Sequence, residues 1–136
     1  IHETWHAFQG RIGSTLNERS MHEGVATYLT QVVDESLPDH KVMMWSSDQW
    51  QAATKHRDAI VKAFVAAKDS RNARDISGFT QLGGQVTGLR EAPDRSGYYV
   101  GFLACRACQA AHPQRTPADL IATDPEDLLQ SLIGSQ

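Results

Sequence analysis

Side chains suited to holding and using a metal ion gather at the start of this 136-residue chain. His2-Glu3-Thr4-Trp5-His6 sets two histidines four residues apart. On a helix four residues advance by about 400°, so the two imidazoles stand one above the other, about 40° apart in azimuth. Both can then reach one tetrahedral zinc ion. Glu3 lies about 100° round from His2, beside the metal rather than on it. A carboxylate there can take a proton from metal-bound water and so act as a general base. The plainer alternative is a helix carrying two surface histidines. Chance produces an H-E-x-x-H string in a chain of this kind on the order of once in a hundred.

A catalytic zinc usually has three protein ligands and one open position, and two histidines with a glutamate form a standard set. The segment His22-Glu23-Gly24-Val25-Ala26-Thr27-Tyr28 offers the third ligand. Glu23 follows His6 after enough chain for a turn and an antiparallel return. On its own helix it points away from the apolar face of Val25, Tyr28, Leu29 and Val32. Gly24, Ala26 and Thr27 are small and allow a second helix to come close. A solvent-facing glutamate is the ordinary alternative for Glu23. Glu18 is a rival ligand, but it falls in the expected connector and lacks the small neighbours. His22 lies about 100° from Glu23 and belongs outside the ligand set.

H-E-x-x-H, a short connector and E-G-x-A-x-Y together resemble the gluzincin metallopeptidases. They are most similar to a group of predicted bacterial zinc-dependent proteases, in which a segment like Gly97-Tyr98-Tyr99-Val100-Gly101-Phe102 follows. The likeness covers mainly residues 1–36 and 97–110. It implies that His2, His6 and Glu23 bind Zn2+, that Glu3 is the catalytic base and that the fold is a helical gluzincin-like core. Gluzincins have a small sheet ahead of the H-E-x-x-H helix, which this chain lacks. Many also carry an acidic residue four positions after the glutamate ligand, to orient a histidine. That position is Thr27 here, which leaves the partner of the histidines unassigned.

Water attack on a carbonyl needs a donor for the oxyanion. Tyr98, Tyr99 and His112 are candidates, each with a core or surface role as its alternative. Adjacent helix positions diverge by about 100°, so only one of the tyrosines faces the site, and Tyr99 is preferred. Cys105 and Cys108 form a C-x-x-C pair, which suits a redox couple or half of a metal site. A helical setting makes them neighbours on one face, and buried small residues are the favoured reading.

The elements that must position these groups are helical. Ile1, Trp5, Phe8 and Ile12 share a stripe on the first helix, and Gly10 and Gly13 loosen its end. A second helix is expected from near Ser20 to about Ser36, with Met21, Val25, Tyr28, Leu29 and Val32 inside. Lys41 to Trp45 is a short strand or loop. One long helix is expected from Ser46–Asp48 to about Ala67, burying Trp50, Ile60, Val61, Phe64 and Val65. Asp69 to Gly97 is punctuated by glycines and by Pro93, and is expected to be a long functional loop or flap. A helix resumes near Tyr98 and ends before Pro113. Thr116-Pro117-Ala118-Asp119 and Asp124-Pro125-Glu126 start two more helices.

The sequence thus predicts a mainly α, single-domain chain over residues 1–136, with the upstream sheet and other leading residues missing. Its net charge of −3 and scattered basic residues give no nucleic-acid or anionic-membrane surface. No apolar run approaches the roughly 20 residues that span a bilayer. The expected function is a zinc-dependent peptidase acting on a peptide or protein substrate. The alternatives are a non-catalytic, zinc-stabilised binding module and a thiol-redox protein built on Cys105 and Cys108. Compartment and oligomeric state are not legible.

Overall fold

The computed structural model describes residues 1–134. The chain is mainly α-helical, and no strand occurs among the described residues. In order these are α1 (His2–His6), α2 (Leu16–Val33), α3 (Asp39–Val42), α4 (Ser47–Lys55), α5 (Arg57–Ala67), α6 (Ala73–Thr80), α7 (Ser96–Ala111), α8 (Pro117–Ala122) and α9 (Pro125–Ile133). The two longest, α2 and α7, pack along each other and form the axis of the bundle. Helix α9 covers both, and α5 and α6 add to the other flank of α7.

The ends of the helices follow from local chemistry. Helix α2 begins at Leu16, earlier than its apolar repeat suggests, because Thr15 and Glu18 form a capping box. The Thr15 hydroxyl accepts from the Glu18 amide and the Glu18 carboxylate accepts from the Thr15 amide, both at 3.1 Å. These backbone and hydroxyl bonds hold the Glu18 carboxyl below its ordinary range. They also remove Glu18 as a rival metal ligand. Thr116 with Asp119, and Asp124 with Glu126, cap α8 and α9 at the positions the sequence marks.

Three expectations need correction. The long helix ending at Ala67 is two helices, α4 and α5, broken at His56 where the backbone leaves helical geometry (φ −104°, ψ 19°). Its expected core positions Ile60, Val61 and Phe64 are nonetheless buried. Lys41 to Trp45 is neither strand nor loop alone, since α3 reaches Val42 before the chain turns through Met44 at φ 57°. The stretch from Asp69 to Gly97 is not an open flap. Helix α6 lies within it, and Phe79, Val86 and Ala92 are buried. Asp94 ties the rest down: its carboxylate accepts from the Gly83 amide at 2.6 Å, and its carbonyl accepts from Trp45 Nε1 at 3.0 Å. Among the described residues none of its hydrogen bonds reaches α1.

The first helix is also shorter than its stripe. Only five residues are helical, and Ile1, Phe8 and Ile12 are 58%, 67% and 41% exposed. Trp5 alone packs against the core. Gly10 leaves the chain free to turn, and α1 rests chiefly on α2.

The crossing of α2 and α7 explains why the axis is so close. A Cβ built on Gly24 would lie within 3.0 Å of backbone atoms of Gly101 and Phe102. One built on Gly101 would meet the Ser20 carbonyl and the Gly24 Cα equally closely. Backbone cannot move aside as a flexible side chain can, so only hydrogen fits at either position. Gly101→Val is therefore expected to destabilise the protein by about 3 kcal/mol. Urea unfolding followed by circular dichroism would measure this. A loss below about 0.5 kcal/mol, the level of an ordinary surface change, would show that the two helices do not depend on this contact.

Candidate metal centre

Helix α1 presents His2 and His6 to one side of α2, where Glu23 meets them. His2 Nε2 lies 3.0 Å from Glu23 Oε2, His6 Nε2 lies 3.1 Å from the same oxygen, and the two ring nitrogens are 3.1 Å apart. The sequence pattern of two histidines and a distant glutamate thus closes into one small triangle. An ion about 2.0–2.1 Å from all three would sit roughly 1 Å off their plane, leaving its outer side open. One oxygen of Glu3 also lies within 4.8 Å of a ring nitrogen of each histidine. Glu3 is exposed, whereas Glu23 is half-buried with one oxygen within 3.1 Å of both ring nitrogens, so Glu23 is the better placed of the two carboxylates.

The surroundings decide which nitrogens face inward. Gln9 Nε2 donates to the His22 carbonyl at 2.8 Å, which fixes the orientation of the Gln9 amide. Its oxygen then lies 2.6 Å from His6 Nδ1, and an amide oxygen can only accept. His6 therefore carries its proton on Nδ1, and Nε2 is a bare lone pair in the neutral ring. On the other side the Thr27 hydroxyl donates to the Glu23 carbonyl at 2.9 Å and stands 3.5 Å from His2 Nδ1. Thr27 thus occupies the place left unassigned by the sequence, as a long-range acceptor for His2. Atoms this close repel one another unless a hydrogen or a cation lies between them: an N–H of His2 donated to Glu23, a protonated imidazole, or a metal ion.

Burial pushes the Glu23 carboxyl up, but the hydrogen bond from His2 and the charges of His6, His2 and His22 outweigh it, so its pKa is lowered. His22 stays outside the triangle, its ring stacked on His6 at 4.7 Å and 4°. Burial, with the nearby His6 next in effect, lowers its pKa.

The two tyrosines take opposite places from those expected. Tyr99 is only 1% exposed and packs against Trp45 and Trp50 in the core, so it faces away from the centre. Tyr98, one position earlier, stacks on His2 at 6.2 Å and 11°. Burial and then the Glu23 carboxylate raise its phenol to about 12. A position difference of about 100° separates the two, and the small residues of α7 that face α2 determine which is which. His112 ends α7, about 21 Å further along the helix axis than Tyr98, and is no part of the site. Cys105 and Cys108 are buried free thiols, and burial raises the Cys105 pKa strongly. That suits core packing and gives no support to a redox pair.

The fold and site define a helical bundle with a histidine–carboxylate cluster on one side of α2, beside its crossing with α7. The chain belongs to the family described as gliding motility protein GldB, whose profile matches residues 5–131. His6 and Glu23 lie within the matched range, and His2 and Glu3 just before it. No curated protein and no solved structure matches significantly. The family overturns the peptidase expectation, because it is a gliding motility family and no protease family matches. The zinc-hydrolase reading, the general-base role of Glu3, the oxyanion role of Tyr99 and the peptide substrate fall with it. The physical reason is that H-E-x-x-H with a later glutamate specifies where three ligands meet, and says nothing of a substrate cleft or of a reaction.

The two tyrosines should separate in stability. Tyr99→Ala is expected to cost about 3–5 kcal/mol, as for other large aromatic truncations in a core. Tyr98→Phe, which removes only the hydroxyl, should cost no more than about 1 kcal/mol. Equal losses in chemical denaturation would show that the assignment of core and site tyrosine is mistaken.

Proposed function

We propose that this chain is a non-catalytic, protein-binding component of a gliding motility system, acting as one domain in which a zinc ion clasps α1 to α2. The observation that supports the clasp is the triangle of His2 Nε2, His6 Nε2 and Glu23 Oε2, with separations of 3.0–3.1 Å. Helix α1 has no fully buried residue and only five helical ones. Such a segment gains little from packing, so one shared ion would supply much of what holds it in place. Zinc suits two imidazoles and one carboxylate in a tetrahedral arrangement. The gliding role rests on the family description. No helix among the described residues is long and apolar enough to cross a membrane.

Purified without chelator, the protein is expected to carry about one zinc per chain. Zinc at about 100 times its dissociation constant should raise Tm by about 10 °C, and chelation should reverse this. His6→Ala and Glu23→Gln should each weaken binding by about 100-fold or more, because each removes one of three ligands. Glu3→Gln should change it by less than about threefold, since an outer carboxylate acts only by charge. No zinc in wild-type protein, before or after reconstitution, would overturn the clasp. In the native host, loss of the chain should impair surface gliding, and unaltered movement would overturn the motility role.

A further inference from the structure

We infer that Gln9 is a positioning residue of the centre: its side-chain amide, anchored on the backbone of α2, fixes the tautomer and orientation of His6. This rests on the metal-clasp reading above, and carries it to a residue that neither the H-E-x-x-H spacing nor the ligand set reveals. Gln9 lies beyond the end of α1, three residues after His6. Its NH2 group donates to the His22 carbonyl at 2.8 Å, and its oxygen accepts from His6 Nδ1 at 2.6 Å. The amide therefore joins a ligand on α1 to the main chain of α2, one residue before the ligand Glu23.

The geometry leaves His6 little freedom. His22 covers one face of its ring, His2 meets it edge-on at 4.8 Å and 79°, and Gln9 holds Nδ1. A ring rotated by 180° would turn carbon toward the Gln9 oxygen and lose the bond. The tautomer with hydrogen on Nε2 would set a lone pair against that oxygen and put hydrogen where the metal belongs. Gln9 thus selects the one state of His6 that can bind the ion, before the ion arrives. Partners of this kind commonly contribute 10–100-fold to metal affinity.

Zinc titration and nitrogen NMR of the His6 ring test this in the full chain, the NMR on metal-free protein at a pH where the imidazoles are neutral. Wild type is expected to show the Nδ1–H form. Gln9→Ala should shift the ring toward the Nε2–H form and weaken zinc binding about 10–100-fold. Its circular dichroism should match wild type, because Gln9 lies in a surface turn. Gln9→Glu keeps an acceptor for Nδ1 but loses the donor to the His22 carbonyl, and should preserve the Nδ1–H form while binding zinc less tightly than wild type. An unchanged tautomer in Gln9→Ala overturns the inference, whatever happens to affinity. Should wild type bind no zinc, the clasp fails, while the tautomer comparison still decides whether Gln9 sets the state of His6.

Discussion

The contact between the backbones of α2 and α7 at Gly24 and Gly101 sets the geometry of this protein. With hydrogen in place of a side chain on both helices, the axes approach until main chain touches main chain. Ser20 and Gly97 extend the same close seam by one turn. Residues beside the seam then have no choice of neighbour. Glu23 precedes Gly24 and is carried to the edge of α2, where α1 arrives. Tyr98 follows Gly97 and comes to lie beside Glu23, while Tyr99 is rotated into the aromatic core with Trp45 and Trp50. The same packing that stabilises the bundle therefore aims the carboxylate.

The centre built on this seam is defined by lone pairs rather than by charge alone. Two imidazole nitrogens and one carboxylate oxygen converge, and the outer nitrogens of both rings face acceptors. Each of these atoms gives up hydrogen bonds to water, a loss that an N–H of His2 donated to Glu23, a protonated imidazole or a metal ion can offset. A hydrolase would need more: a cleft beside the ion and a donor aimed at a developing charge. The family of the chain lies with gliding motility proteins.

The weak attachment of α1 gives the centre its meaning for the fold. Trp5 is its only substantial anchor in the core, and Ile1 and Phe8 remain in solvent. Gln9 adds a polar tie to the backbone of α2. Elsewhere the bundle is closed by apolar packing and by capped helix ends, and Asp94 fastens the long stretch before α7 to the corner at Trp45. Opening of the molecule should thus begin at its first residues, the part an ion can hold.

The sequence by itself determined the helical class, because the 3.6-residue recurrence of apolar side chains and the capped prolines at Pro117 and Pro125 are local properties. It also determined that His2 and His6 share a helix face, since spacing alone fixes azimuth. The start of α2 was missed, because apolar periodicity placed it near Ser20 and passes over the polar cap of Thr15 and Glu18. Tertiary structure alone decided the rest. The break at His56 and the packing of residues 69–97 depend on what neighbouring helices cover, which no local pattern carries. Tyr98 and Tyr99 are equivalent in sequence until the glycine seam fixes the rotation of α7. Gln9 has no signature at all, because its role depends on a backbone carbonyl brought to it from another helix. And the ligand pattern could not disclose its purpose, since the positions of three donor atoms are set by helix geometry while a reaction is set by everything around them.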